Sequence, residues 1–311
     1  MDKRLTISLF IYLFMNLNLI AGVTFTDYTN SDFNQSYLQN LEVSDNQVFL
    51  PNQATAFTSW VSTTNLPQQL EGHKITYWNN KIYLSGGYNG SQCSNKVYSA
   101  EVNSGLGGWS ELESLPAAVQ EHEIVAANGY LYVLGGKQDS IPSSDIYYAK
   151  LNEDGSINSW QLNTTSLPQN LWGHTAAFLE GFIYVIGGSN QVSKDSAVNK
   201  VYSAKVDYDG ELGTFSEVTT LPEARSQHQM VTYGNTIYLL GGYNNSGVTQ
   251  NSVFYAETDL NGSCSAWSNA TALPDSISSF SACCNNGLLT VVGGIENTKN
   301  NNTFYANITN A

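Results

Sequence analysis

Lys81-Ile-Tyr-Leu-Ser-Gly-Gly-Tyr88 decides how this chain is read, because the same pattern returns along its length. It recurs as Tyr130-Leu-Tyr-Val-Leu-Gly-Gly-Lys137, Phe182-Ile-Tyr-Val-Ile-Gly-Gly-Ser189, Thr236-Ile-Tyr-Leu-Leu-Gly-Gly-Tyr243 and Leu288-Leu-Thr-Val-Val-Gly-Gly-Ile295. The intervals between the Gly-Gly pairs (Gly86–Gly87, Gly135–Gly136, Gly187–Gly188, Gly241–Gly242, Gly293–Gly294) are 49, 52, 54 and 52 residues. Leu-Pro keeps the same spacing at Leu66, Leu115, Leu167, Leu221 and Leu273, and so does a bulky aromatic at Trp60, Trp109, Trp160, Phe215 and Trp267. Three independent markers on one period define a structural repeat.

Working outward from the first unit, Lys74–Trp78, Lys81–Ser85, Lys96–Val102 and Trp109–Leu112 read as short strands separated by turn residues. Tyr130–Leu134, Phe182–Ile186 and Thr236–Leu240 are nearly continuous β-branched and aromatic runs, as expected of strands buried on both faces. Asn128-Gly129, Asp154-Gly155, Asp209-Gly210 and Asn261-Gly262 suit tight turns that need positive φ. No segment carries a period-3.6 stripe. Four antiparallel strands repeated at about 50 residues predict an all-β propeller.

The Gly-Gly pair, the third-strand aromatic (Tyr98, Tyr147, Tyr202, Phe254, Phe304) and the fourth-strand Trp or Phe resemble the kelch family over residues 48–311. The expected fold is a kelch-type β-propeller of five four-stranded blades, with units near 60–108, 109–159, 160–214, 215–266 and 267–311. Glycine has a physical reason here: without Cβ atoms the backbone passes close beneath a neighbouring blade. The fifth unit ends after its third strand, Thr303–Ile308, and a fourth-strand sequence stands around Trp60 at the other end. An N-terminal strand is therefore expected to complete the last blade and remove its edge. A degenerate sixth blade from residues 23–58, with Val48–Leu50 as its third strand, is the alternative.

Twelve Lys+Arg against 26 Asp+Glu give a formal net charge of −14 and a pI near 4.5, yet charged residues make up only 12% of the 311. So few cations exclude a nucleic-acid role, which needs clustered Lys and Arg to displace phosphate counterions, and disfavour docking on anionic membranes. Nineteen Tyr, 12 Phe and 6 Trp supply ample material for a core. Lys3 and Arg4 before the nearly uncharged run Leu5–Ala21 read as a signal peptide over residues 1–22, leaving an N-terminal segment at 23–47. The mature chain is expected to be secreted, periplasmic or on the cell surface, monomeric, and without a membrane-inserted segment.

His73, His122, His174 and His228 share one repeat position, seven residues after the Leu of Leu-Pro, and the fifth unit has Phe280 there. A metal-holding ring is the functional alternative, but Phe fills a packing site and ligates nothing, so a structural role is expected, with each His plugging an inter-strand site in its own blade. Cys93, Cys264, Cys283 and Cys284 permit disulfides in an exported protein, with a bridge from Cys264 to the Cys283–Cys284 pair and free thiols both open. Asp207-Tyr208-Asp209-Gly210 echoes a calcium loop but lacks its remaining oxygens, so a type I′ hairpin turn is expected. Asn-x-Ser/Thr sequons stand at Asn34, Asn89, Asn163, Asn244, Asn261, Asn269, Asn301 and Asn307.

In the kelch family, ligand contacts come from just before the repeat His and from the loop after Gly-Gly. The resemblance carries these to Leu70-Glu71, Val119-Gln120, Leu171-Trp172, Arg225-Ser226 and Ile277-Ser278, and to Tyr88-Asn89, Lys137-Gln138, Ser189-Asn190 and Tyr243-Asn244. Of these, Glu71, Tyr88, Asn89, Gln120, Trp172, Arg225, Ser226, Tyr243 and Asn244 are the candidate ligand-binding residues. Trp172, Tyr88 and Tyr243 form an expected stacking patch. No catalytic residue, cofactor or metal is expected, because neither the copper constellation of galactose oxidase nor the cations that an acidic sugar would require of a sialate mutarotase are recognisable. The leading expectation is a non-catalytic module binding a protein or a neutral glycan, with a carbohydrate-active enzyme or a structural surface protein as alternatives.

Overall fold

The computed structural model describes residues 64–103, 105–295 and 302–308, together with the backbone of two short strands, Glu42–Ser44 and Gln47–Phe49. The chain divides into two compact units, Met1–Ser62 and Thr63–Ala311. In the first, Glu42–Ser44 and Gln47–Phe49 pair as an antiparallel hairpin, Val43 opposite Val48.

Among the described residues the second unit has five antiparallel sheets arranged as propeller blades, and a small two-stranded sheet pairs Lys137–Gln138 with Ile141–Pro142. Blade 1 comprises Lys74–Trp78, Lys81–Ser85, Val97–Glu101 and Ser110–Glu111, and blade 2 comprises Glu123–Ala127, Tyr130–Leu134, Ile146–Lys150 and Gln161–Leu162. Blade 3 is Thr175–Leu179, Phe182–Ile186, Val198–Lys205 and Ser216–Arg225; blade 4 is Gln229–Tyr233, Thr236–Leu240, Val253–Glu257 and Ser268–Asn269. Blade 5 shows Ser281–Asn285, Leu288–Val292 and Thr303–Asn307. The closing strand expected around Trp60, the signal segment and most of the stretch proposed for a sixth blade lie outside the described residues.

The three apolar runs fall on second strands, and the last two residues of each are buried. Four hydrophobic clusters make up the core, and every one straddles two consecutive blades. Tyr132, Leu134 and Ile146 of blade 2 meet Ile183, Val185 and Tyr202 of blade 3. Equivalent clusters join blades 1 and 2, 3 and 4, and 4 and 5. A single twisted sheet has no core of its own, so a blade is stable only against its neighbours.

The Gly-Gly pair is where those neighbours meet. Its second amide donates to a carbonyl of the next blade: Gly87 to Val119, Gly136 to Leu171, Gly188 to Arg225 and Gly242 to Ile277, at 2.7–2.8 Å. The first glycine lies so close to the next blade that a Cβ on Gly86 would stand 2.3 Å from Val119 O, and one on Gly187 2.5 Å from Arg225 O. Both glycines of each pair have positive φ, from 54° to 109°. Close approach and backbone conformation therefore both demand glycine.

A second joint lies at the opposite ends of the second strands. The Tyr83 hydroxyl donates to Gly155 O, Tyr132 to Gly210 O and Tyr184 to Ser263 O, each in the outer turn of the following blade. These turns correct the expected geometry. In Asp207–Gly210 only Gly210 has positive φ, and its amide donates to Asp207 O at 3.0 Å. That is a type I turn followed by a left-handed glycine, which Asp154-Gly155 and Asn261-Gly262 share, whereas Asn128-Gly129 has two positive φ values as a type I′ turn requires.

Comparing Gly187→Ala with Gly129→Ala by urea denaturation separates crowding from backbone strain. Gly129 also has positive φ, but nothing stands within 4 Å of its added Cβ. We expect a loss of about 1 kcal/mol at Gly129 from the left-handed conformation alone, and about 3 kcal/mol or more at Gly187.

Candidate functional site

Immediately before each repeat His, and before Phe280, stands one residue in the left-handed region: Gly72, Glu121, Gly173, Gln227 and Ser279, with φ of 49–61°. Their backbones are joined in series. Glu121 N donates to Gly72 O, Gly173 N to Glu121 O, Gln227 N to Gly173 O and Ser279 N to Gln227 O, at 2.7–3.0 Å. This chain of amides crosses four blade joints and forms the axial mouth of the propeller. Three of the five positions hold non-glycine residues, an uncommon conformation outside Asn and Asp. Gly72 and Gly173 at equivalent places are the sequence signal that could have revealed it.

The side chains on this chain of amides meet. Gln227 Nε2 donates to Glu121 Oε2 at 3.0 Å across 106 positions of sequence, and Ser279 Oγ donates to Gln227 Oε1 at 3.2 Å. Lys137 Nζ stands 3.6 Å from Glu121 Oε1. Below, at the start of the innermost strands, Lys74 Nζ pairs with Glu123 Oε2 at 3.0 Å. Burial pushes the Glu123 carboxyl up, and Lys74 works against that shift.

The structure brings the two expected loop sets together, since Glu71 bridges Tyr88, Gln120 bridges Lys137, Trp172 bridges Ser189 and Ser226 bridges Tyr243 in backbone pairs. Their side chains differ in what they offer. Glu71 is exposed and Tyr88, Asn89, Gln120 and Asn244 are half-buried. Asn89 Oδ1 accepts from the amides of Ser91 and Gln92, and Asn244 Oδ1 from those of Ser246 and Val248, so both shape their own turns. Gln120 Nε2 donates to Asp139 O. Tyr243 and Ser226 are buried.

Trp172 is not the open platform expected of it. It is 3% exposed, its Nε1 donates to Gln191 O, and Lys137 Nζ lies 3.9 Å from the ring centroid. The cation covers the ring a ligand would need. Arg225 is likewise withdrawn. Fully buried, its guanidinium donates to Ala224 O, pairs with Glu223 at 2.8 Å, contacts Ser252 and lies 5.2 Å from the Phe254 ring. It ties the end of the long fourth strand of blade 3 to blade 4.

The histidines sit between blades instead of within one. The rings of His122, His174 and His228 meet the first glycine of the preceding blade, at Gly86, Gly135 and Gly187, while the Cβ of all four histidines meets the second glycine of its own. Ser85 Oγ shares a 2.7 Å hydrogen bond with His122 Nε2, and Thr175 Oγ1 a 2.9 Å bond with His228 Nε2. Phe280 repeats the packing at Gly241. No group of three or more potential metal ligands exists among the described residues. All four cysteines are free thiols, and burial pushes Cys264 up to about 11. Asn163 is buried, bonded through its amide to Leu212 of the next blade, and is closed to a glycan.

A family model described as the Attractin/LZTR1 β-propeller matches residues 39–304. Beta-scruin of Limulus polyphemus is 30% identical over 139 residues, 44% of this chain and 14% of that protein. Kelch-like protein 40 of Mus musculus is 28% identical over 128 residues, 41% of this chain and 19% of that one. The chain thus aligns with less than a fifth of either relative. The solved structure of YjhT has a TM-score of 0.59 at 18% identity, over 73% of each chain, a likeness of fold.

Burial and the nearby Lys74 charge push His122 and His174 down to about 3. Unfolded, they would protonate near 6.5, so between these values the unfolded chain binds more protons. Their contribution to stability is therefore complete above about pH 6.5 and is lost as pH drops toward 3. His174→Phe, which copies blade 5, should flatten the slope between pH 6 and pH 4 by about 1.4 kcal/mol per pH unit in urea titrations.

Proposed function

Because the chain belongs to the Attractin/LZTR1 β-propeller family, of kelch type, we propose that it is an exported, non-catalytic module that binds a protein segment at its axial mouth. The observation that carries this reading is the distribution of charge there. Glu71 and Asp139 are exposed and Glu121 and Glu223 half-buried, whereas Arg225 is sealed and Lys137 is engaged by Trp172 and Glu121. Glu121 and Glu223 are themselves taken up by Lys137, Gln227, Arg225 and Asn244, so Glu71 and Asp139 are the carboxylates left facing outward. With no cation beside them equally exposed among the described residues, the mouth suits a segment bearing Lys or Arg. Hydrogen bonding from Gln227, Ser279 and Gln120 adds capacity for a partner's backbone. A neutral glycan is the weaker occupant of this face, because the indole meant to stack against it is covered.

A random peptide library panned on the immobilised protein tests the mouth. Enriched peptides should carry Lys or Arg and bind a Glu71→Gln/Glu121→Gln variant about tenfold more weakly, with affinity falling as salt rises. Absence of enrichment, or equal binding by the variant, contradicts the reading. Export rests on the basic start and apolar run at residues 3–21. Expression of the full chain in a secreting host should release a product that begins near Val23, whereas a cell-retained product that keeps Met1 removes the proposal.

A further inference from the structure

The joint at the outer turns is closed differently between blades 1 and 2 than between the next two pairs. A Cβ on Gly210 would strike the Tyr130 ring at 2.3 Å, and one on Gly262 the Phe182 ring at 2.5 Å. At the equivalent place in blade 1 the residue is Lys81, whose aliphatic stem lies along Gly155 while its ammonium turns away to Glu101, 3.2 Å off. Where its neighbours have a ring, this joint has a cleft of about 220 Å³, lined by Trp78, Asn79, Tyr83, Leu151, Asn152 and Glu153 among others. It lies at the far end of the second strands from Gly-Gly, so it is separate from the axial mouth.

Its lining is amphiphilic. Half-buried Trp78 gives the cleft an apolar side, while Tyr83 and Leu151 are themselves buried and the Tyr83 hydroxyl is spent on Gly155 O. Asn79 and Asn80 both hold positive φ, at 46° and 60°, where the other two-residue inner turns each include a glycine. Tyr77 Oη–H fixes that turn by donating to Asn80 Oδ1 at 2.8 Å. The Asn79 amide, the Trp78 Nε1–H and the Glu153 carboxylate have no protein partner among the described residues. Donors and an acceptor thus edge an aromatic surface, with the one nearby cation already paired.

We propose that this cleft is a subsite for a single neutral pyranose, its apolar face on Trp78 and its hydroxyls on Asn79 and Glu153. Aromatic faces edged by fixed polar groups match the alternating apolar and hydroxylated surfaces of a sugar ring. The volume is below the roughly 300–1,000 Å³ of drug-sized sites, which limits the occupant to one ring. The cation that lines the cleft, Lys81, is paired with Glu101 and so does not favour an acidic sugar. The subsite does not rest on the axial mouth.

The methyl glycosides of glucose, galactose, mannose and N-acetylglucosamine, used singly in saturation-transfer NMR with the wild-type protein, provide the test. At least one should receive saturation and shift the Trp78 indole resonance, with Kd on the order of 1 mM. Lys81→Tyr installs the ring that Tyr130 supplies at the next joint. It should keep the wild-type melting temperature or raise it, and weaken binding about tenfold or more; Glu153→Gln should weaken it through one lost charged hydrogen bond. Glu71→Gln/Glu121→Gln should bind the sugar as wild type does. No response to any glycoside overturns the proposal. So does wild-type affinity in folded Lys81→Tyr, or loss of binding in the Glu71→Gln/Glu121→Gln variant alone.

Discussion

The second Gly-Gly amide of one blade reaching a carbonyl of the next is the contact on which the rest of this molecule depends. It sets how closely consecutive sheets approach, and so how the four hydrophobic clusters are shared between them. Glycine is required because a Cβ would penetrate the neighbouring backbone, and the ring of the following His or Phe fills the space beside it. The tyrosine hydroxyls at the opposite ends of the second strands repeat the same logic, each joining a blade to the outer turn of the one after it. A blade thus has two hinges to its neighbour and little internal core.

Much of this is legible in the chain itself. Tyr130–Leu134, Phe182–Ile186 and Thr236–Leu240 form strands with the bounds their β-branched and aromatic residues indicate, because each is a short apolar run closed by Gly-Gly. The Leu-Pro to His spacing locates a packing position, since Phe280 at the same place has no chemistry to share with histidine. The turn at Asp207–Gly210 is less legible: Asp-Gly suits two turn types, and only the hydrogen bond from Gly210 to Asp207 distinguishes them.

The candidate site is less legible than the fold for a specific reason. A repeat shows which positions are equivalent without showing which way a side chain turns. Trp172 stands in the expected loop, yet Lys137 from the preceding blade covers its ring, a contact across 35 positions that no local pattern encodes. Arg225 occupies the place of a ligand-binding arginine but is consumed by Glu223 and Ser252. The mouth is instead made by Glu121, Gln227 and Ser279, held in a backbone conformation that two glycines at equivalent positions betray. The sparse charge of the sequence acquires a location in this way: about half of the described strands carry none, and at the mouth Glu71 and Asp139 are the carboxylates left exposed while Glu121 and Glu223 are paired.

Native-state hydrogen exchange at Gly87, Gly136, Gly188 and Gly242 addresses the central claim most directly, with the open-turn amide of Gly129 as reference. If inter-blade glycine contacts hold the propeller together, the four amides exchange only through the opening that exposes the shared cores, with closely similar and large protection. Exchange as fast as at Gly129, while the second-strand amides of Tyr132 and Tyr184 stay protected, would show that blades keep their structure without these joints and would contradict the account.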